Sequence, residues 1–165
     1  MATGSWVSLH EYLSTSYRPD CDYVDGVVLE RNVGENSHSR PMGETWFYYR
    51  LRRPQWGLWP FVSLRVQVSA TRVRVPDVCV VLGDPSEQVL QTPPFICIEI
   101  LSKVDRLSDI QDRVEDYLAF GVPYVWILDP ATRQAWRCTP GGTQEETELR
   151  TENPETLVPV RDLFE

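Results

Sequence analysis

Two acidic residues of this chain stand in apolar segments, where carboxylates are costly. Glu99 lies in the middle of the run Phe95–Leu101, whose other members are apolar. Asp77 lies near the start of a second run of this kind, Val75–Leu82. An unpaired carboxylate in a buried strand is strongly destabilising or takes up a proton. We therefore expect a cation to face Glu99, either a metal ion or the side chain of an arginine or lysine.

The spacing of the two runs allows the carboxylates to meet. Side chains alternate along a strand, so Glu99 shares a face with Cys97, and Asp77 shares a face with Cys79. On neighbouring strands in suitable register the two acids point into one notch, where they repel each other unless a cation joins them. Such oxygen ligands suit Mg²⁺ or Mn²⁺, which activate water and neutralise charge at phosphorus. The structural alternative is that Glu99 pairs with an arginine and Asp77 caps a turn after Pro76.

The elements that carry these acids favour an α/β fold with a mixed sheet and helices on its faces. A stripe of apolar residues predicts a helix over Ser108–Phe120, with Ser108 as N-cap and Gly121 as the stop. Strands precede and follow it, so a right-handed crossover would make those strands parallel. The remaining predictions are a helix over 8–16, a hairpin over 23–30 with an Asp-Gly turn, a loop over 32–36, a helix over 37–53 with Pro41 in its first turn and Pro54 at its end, strands over 59–68, 76–82, 95–101, 123–129 and 134–139, a solvated edge hairpin over 145–155 and a terminal turn over 162–165.

Length and composition predict one cytoplasmic domain over residues 1–165. The chain has no apolar stretch long enough to cross a membrane and no secretory signal. Its four cysteines have no CxxC spacing, which favours structural thiols over a zinc site or a disulfide framework.

The net charge of −8 argues against a large nucleic-acid footprint. The charge is unevenly distributed, because residues 1–76 hold 9 basic and 7 acidic residues whereas residues 77–165 hold 7 and 17. Six arginines fall between Arg50 and Arg74. They form either a phosphate-facing patch or a solvated face with ion pairs to the acidic half.

Several segments, taken in order, resemble one family over roughly residues 8–140. It is the Uma-two type of "putative restriction endonucleases", which belongs to the PD-(D/E)XK nuclease superfamily. The matching segments are Arg74-x-Pro76-Asp77, Ile98-Glu99-Ile100-Leu101-Ser102, Asp109-x-x-x-Arg113-x-x-x-Tyr117-x-x-x-Gly121-Val122-x-Tyr124-x-Trp126, Tyr23-Val24-Asp25-Gly26 and Asn36-x-His38.

The resemblance implies a restriction-endonuclease-like central mixed β-sheet flanked by helices. It also implies that Asp77 and Glu99 bind Mg²⁺ (or Mn²⁺), that the Ile100 backbone carbonyl is a further metal ligand, and that the protein hydrolyses DNA phosphodiester bonds.

One departure from the superfamily pattern concerns the catalytic lysine. It belongs two residues after the Glu, where this chain has Leu101. In the family this residue has moved to the following helix, which corresponds to Arg113 here. Arginine orients a phosphate but does not deprotonate to act as a base. Lys103, the only lysine of the chain, is a second candidate for the missing role, and an exposed loop lysine is the alternative.

The remaining candidates carry weaker expectations. His38 is expected either to touch metal-bound water or a phosphate, or to be a structural histidine at a helix start. Glu44 is a candidate outer metal ligand, with Asp22 and Glu30 as weaker ones. The other assignments are structural: Tyr117 and Trp126 in the core, Asp109 at the helix start and in contact with Arg113, and His10 without a role.

Three functional hypotheses follow from these observations. The first is a Mg²⁺-dependent DNA nuclease, favoured by the acid kept inside an apolar strand. The second is a degenerate member that binds or interacts without catalysis, favoured by Leu101 and the net charge of −8. The third is an α/β domain of unrelated function in which Glu99 pairs with an arginine.

We also predict self-association, as a two-fold homodimer or a higher homo-oligomer. The chain has six tryptophans, and the segment from Trp56 to Phe61 indicates an exposed apolar patch of the kind that is commonly covered by a second copy. Size-exclusion chromatography with light scattering tests this prediction, and a monomer at micromolar concentration would contradict it.

Overall fold

The computed structural model describes residues 6–31 and 34–165. Its elements are α1 (Leu9–Leu13), β1 (Cys21–Val24), β2 (Val27–Glu30), α2 (Asn36–Leu51), α3 (Arg53–Trp56), β3 (Leu58–Val62), β4 (Val66–Ser69), β5 (Arg72–Arg74), β6 (Val78–Leu82), β7 (Ile96–Ile100), α4 (Leu107–Phe120), β8 (Tyr124–Asp129), β9 (Gln134–Thr139), β10 (Gly142–Glu146), β11 (Glu148–Thr151), β12 (Thr156–Pro159) and a 3₁₀ helix (Val160–Phe164).

The central sheet is mixed and has six strands in the order β10-β9-β8-β7-β6-β3. Strands β7 and β8 are parallel and are joined through α4, as predicted, whereas the other neighbours pair antiparallel. A four-stranded sheet (β2-β1-β5-β4) and a hairpin (β11-β12) complete the fold. The predicted mixed α/β architecture is therefore confirmed. Among the described helices, none is both long and apolar enough to cross a membrane.

Strand β7 is buried over its whole length because both faces of the central sheet are covered. On one face Ile96, Ile98 and Ile100 pack in a cluster with residues of α2, the β11-β12 hairpin and the 3₁₀ helix. On the other face Cys97 packs in a cluster with residues of α4 and β4. Glu99 alternates with the isoleucines, so its side chain lies on the α4 face.

Helix α4 has the predicted apolar stripe, but a charge interrupts it. Its buried residues are Ile110, Arg113, Val114 and Tyr117. The helix ends at Gly121, whose φ of 101° is a left-handed conformation that glycine adopts without strain. Ser108 was wrongly predicted as N-cap. The helix begins one residue earlier, and Arg106 stands at the N-cap without a side-chain cap.

The hairpin β1-β2 turns at Asp25 and Gly26, both with positive φ, as the Asp-Gly signal predicts. Strand β2 then leads into Arg31. Residues 32 and 33 of the predicted loop lie outside the described residues. Helix α1 is shorter than predicted, and it begins after Ser8, whose hydroxyl accepts a hydrogen bond from the backbone of Glu11.

Two predicted elements are divided or shifted at a local break. The strand predicted over 59–68 is two strands in different sheets, because Ser63 has a φ of 52° and the chain leaves the central sheet there.

Pro41 lies in the interior of α2 rather than in its first turn. Pro54 is the second residue of α3 instead of only ending the preceding helix, and its missing N–H has no partner to lose in a first turn.

The apolar surface also differs from prediction. The hairpin over 148–159 is not simply solvated, because Leu149 and Val158 are fully buried. In the segment 56–61, Leu58 is fully buried and the Arg53 guanidinium covers the Trp59 ring at 3.9 Å. Exposed apolar side chains are scattered over other elements, among them Phe47 and Leu51 of α2 and Leu107 of α4. The homodimer stays a prediction.

Truncation of Ile98 to alanine should lower the free energy of unfolding by about 2–5 kcal/mol, because it opens a cavity in a fully buried central strand. Urea unfolding measures this loss. Val104→Ala, at a side chain that is 70% exposed, should change stability by less than about 0.5 kcal/mol. Equal effects of the two substitutions would contradict the assigned burial.

Candidate active site

The structure brings Asp77 and Glu99 together. Asp77 directly precedes β6, and Glu99 lies in β7. Because Val78 pairs with Ile98 in the antiparallel register, Asp77 stands opposite Glu99. Glu99 is fully buried and Asp77 is 8% exposed. The pair therefore lies inside the fold, with only Asp77 reaching its surface.

A single arginine nitrogen bridges the two acids. Nη2 of Arg31 lies 3.1 Å from Oδ1 of Asp77 and 2.8 Å from Oε2 of Glu99. Burial alone would lower the pKa of Arg31, but the two carboxylates raise it well above its usual value. The predicted cation facing Glu99 is therefore present, and in this structure it is an arginine.

Two side chains of α4 complete the surroundings of Glu99. The hydroxyl of Tyr117 donates a hydrogen bond of 2.6 Å to Oε1, and Nη1 of Arg113 lies 3.4 Å from Oε2. These residues are four positions apart and so share one face of the helix. Burial, together with the charge of Asp77, raises the pKa of Glu99 despite the nearby arginines.

Asp77 has a different environment. Its Oδ2 accepts a 2.8 Å hydrogen bond from the backbone N–H of Ile100 and lies 3.3 Å from Nε2 of His38. Burial alone would raise the pKa of Asp77, but the bond to His38 and the charge of Arg31 hold it below its usual value. The same bond raises the pKa of His38. The acids are thus chemically distinct, and Asp77 is the more strongly ionised.

The Ile100 backbone faces Asp77. Its N–H makes the contact in this structure, whereas a carbonyl role was expected. The expected role of the Ile100 carbonyl as a metal ligand stays a prediction.

A recess of about 250 Å³ leads to the acids. Its lining includes Arg31, His38, Met42 and Asp77. Open grooves of about 500 and 620 Å³ lie elsewhere, along β10 and β11, and have several glutamates in their lining. The small recess is the chemically relevant one, because it alone of these three exposes part of the acid pair.

Arg113 is held on all sides by acids. Its Nε lies 3.5 Å from Asp22, its Nη1 3.4 Å from Glu99 and its Nη2 3.9 Å from Asp105. The predicted contact with Asp109 is not among these ion pairs. In this arrangement Arg113 orients Glu99 and is not directed at the recess.

An ion-pair network extends from Arg113 to the second sheet. Asp22 also contacts Arg74, at 3.2 Å, and Arg74 contacts Asp116 of α4 at 2.6 Å. Arg72 joins Asp116 to Asp25 of the hairpin turn. These two arginines of the cluster between Arg50 and Arg74 therefore make internal ion pairs to both halves of the chain.

The other sequence candidates lie outside the acid pair. Lys103 is 82% exposed and pairs with Glu35 at 3.6 Å, so it is not brought to the acids. Glu44 is half-buried on α2, and Glu30 is exposed at the end of β2. Trp126 is buried, and its indole nitrogen donates to Glu146.

Sequence reasoning missed two residues of the site. Arg31 lies 68 positions from Glu99, and only the general need for a cation pointed to it. Tyr117 was assigned to the core from its place on the apolar stripe. Tyr117 is fully buried, as expected. The signal for its polar role was Glu99, because a carboxylate on the face covered by this helix needs a hydrogen-bond donor from the helix.

The two carboxylates at this site suit Mg²⁺ or Mn²⁺ in kind, since hard oxygen donors are the ligands that these ions prefer. Within the described ranges there is no group of three or more His, Cys, Asp or Glu side chains placed to hold a metal. Mg²⁺ commonly takes one or two carboxylates and completes its shell with water and substrate phosphate. The donor set therefore fits, although Arg31 contacts the same oxygens.

Comparison with known proteins agrees with the fold. The profile of the Uma2 family, described as "Putative restriction endonuclease", matches residues 8–165. A crystal structure from Anabaena variabilis, described as a "putative nuclease belonging to DUF820", superimposes with a TM-score of 0.80 at 22% identity, covering 96% of this chain and 97% of that one. No curated protein matches the chain.

Removal of the Tyr117 hydroxyl tests the support of Glu99. Tyr117→Phe leaves a buried carboxylate oxygen without its donor, so the free energy of unfolding should fall by about 1–3 kcal/mol in urea unfolding.

Tyr49→Phe is the matched control. Tyr49 is also fully buried, but among the described residues its hydroxyl has no hydrogen-bond partner. Its removal should therefore be neutral or slightly stabilising. Equal losses in the two variants would show that the Tyr117 bond does not support Glu99.

Proposed function

Because the chain belongs to the Uma2 family of "putative restriction endonucleases", we propose that it is a metal-dependent endonuclease hydrolysing DNA phosphodiester bonds. The observation that carries this proposal is the pair of acids on adjacent strands, Asp77 and Glu99, joined by one cation at the base of a recess. A fold needs no such pair for stability alone, since a buried ion pair is often no better than apolar packing.

The proposed metal ligands are Asp77, Glu99 and the Ile100 carbonyl. A divalent ion bound there would lower the pKa of water and neutralise charge on the phosphate. His38 keeps Asp77 oriented and ionised through the 3.3 Å contact. Arg113 and Tyr117 fix the Glu99 carboxylate from the helix side.

The substrate phosphate would enter through the recess. His38 lines it, and the contact of its Nε2 with Asp77 sets the orientation of the ring at the recess. Lys103 follows β7 by three residues and is exposed, so its proposed role is contact with the DNA backbone outside the recess. Such a contact adds affinity that falls with salt concentration.

A second candidate function is supported by the same geometry. Arg31 satisfies both acids without a metal, and Leu101 stands in place of the superfamily lysine. Leu101 packs partly buried against the α4-side cluster. These features suit a nuclease fold that binds nucleic acid or protein without catalysis.

Asp77→Asn separates the two functions. It removes one ligand charge, so the nuclease proposal expects Mn²⁺ binding in isothermal titration and plasmid nicking both to vanish. Asp84→Asn, in an exposed loop, is the control and should retain both. Thermal unfolding of each variant verifies the fold, because Asp77 also contacts Arg31 and His38.

Each outcome assigns a function. Wild-type protein that binds Mn²⁺ without nicking DNA would favour the non-catalytic candidate. Wild-type protein that binds no Mn²⁺ at millimolar concentration would contradict a working metal site in the wild-type protein, where Glu99 would then act as an ion-paired structural residue.

A further inference from the structure

We infer that Arg31 is an internal cation that competes with the divalent metal for Asp77 and Glu99, so that the arginine bridge and the bound metal exclude each other. This inference rests on the proposed metal-binding role of the two acids. It assigns to Arg31 the control of metal affinity.

The geometry of the bridge carries the inference. One nitrogen, Nη2, lies within hydrogen-bond distance of an oxygen on each acid, at 3.1 Å from Asp77 and 2.8 Å from Glu99. A shared Mg²⁺ would join the same two carboxylates at about 2.0–2.1 Å from each ligand oxygen. The ion and the nitrogen therefore need the same space between the acids.

The charges lead to the same conclusion. Arg31 faces both acids with its positive charge, and Arg113 contacts Glu99 as well, although it is shared with two further acids. A divalent ion added beside the Arg31 guanidinium would meet like-charge repulsion in a buried place, where it is poorly screened.

Arg31, and not Arg113, is the side chain that can move away from the two acids. Arg113 faces an acid with each of its three nitrogens and is not part of the recess lining. Arg31 lines the recess, and one nitrogen makes both of its contacts with the acid pair. Rotation of the end of that side chain toward the recess releases Asp77 and Glu99 together.

Calorimetric titration with MnCl₂, paired with thermal unfolding with and without the metal, tests the competition. Arg31→Gln should bind Mn²⁺ about tenfold more tightly than wild type or better, since loss of a nearby positive charge strengthens cation binding. The Mn²⁺-induced rise of its unfolding temperature should also be larger. An affinity within twofold of wild type, or a weaker one, would overturn the inference.

Two further variants isolate the cause. Arg31→Lys retains the charge and should keep an affinity near that of wild type. Arg161→Gln removes an arginine whose side chain is 87% exposed on the 3₁₀ helix, and should leave the affinity unchanged. Equal tightening in Arg161→Gln would assign the effect to net charge and not to the bridge.

Folding of Arg31→Gln without metal is itself informative, because the variant leaves two facing acids with one cation fewer. Folding only in the presence of Mn²⁺ would support the inference. Failure to fold even with Mn²⁺, while the double variant Arg31→Gln/Asp77→Asn folds, would overturn it, since metal would then be unable to replace the arginine.

The readouts separate this inference from the proposed nuclease activity. Tighter Mn²⁺ binding by Arg31→Gln, with no nicking by any variant, would leave the competition standing and remove the nuclease. An unchanged Mn²⁺ affinity of Arg31→Gln, with plasmid nicking intact, would contradict the competition and leave the nuclease proposal standing. Absence of Mn²⁺ binding in both proteins would contradict both proposals.

Discussion

A carboxylate without exposed surface must be balanced where it stands, and three side chains do this for Glu99. Arg31 comes from the end of a hairpin, and Arg113 and Tyr117 come from one face of α4. Removing one partner of a buried pair typically costs about 3–5 kcal/mol, because the remaining charge is left unpaired. The contacts of Glu99 therefore help to fix the position of β7 relative to α4 and to the hairpin.

A network of ion pairs connects the surroundings of Glu99 to the four-stranded sheet. Asp22 of β1 contacts Arg74 of β5 and Arg113 of α4, and Asp116 of α4 contacts Arg74 in return. The four-stranded sheet is thus attached to the central sheet through charged contacts at the level of the site. Such networks are sensitive to the loss of any member, because a partly satisfied buried network is less stable than an apolar one. The same contacts that hold the two sheets together orient Glu99.

Much of this arrangement was predictable from local patterns. The acid inside an apolar run, the Asp-Gly turn, and the stripe on α4 each act over a few residues, and each was placed correctly. Arg31 and Tyr117 were not placed at Glu99, and for Arg31 the reason is that an ion pair across 68 positions leaves no periodic signal in one sequence. The break at Ser63 was missed for a related reason, since a positive φ at a serine has no sequence marker of the kind that glycine supplies.

The replacement of the superfamily lysine by Leu101 is consistent with how this site is charged. Leu101 packs partly buried beside the α4 cluster, and its N–H bonds to Leu128 of β8, so that position belongs to the core. The positive charge comes instead from the guanidinium groups of Arg31 and Arg113. Neither arginine can accept a proton from water. In the proposed nuclease, hydrolysis would therefore draw its base from outside these cations, and the proposed affinity of the acid pair for a metal would decide whether the protein is active.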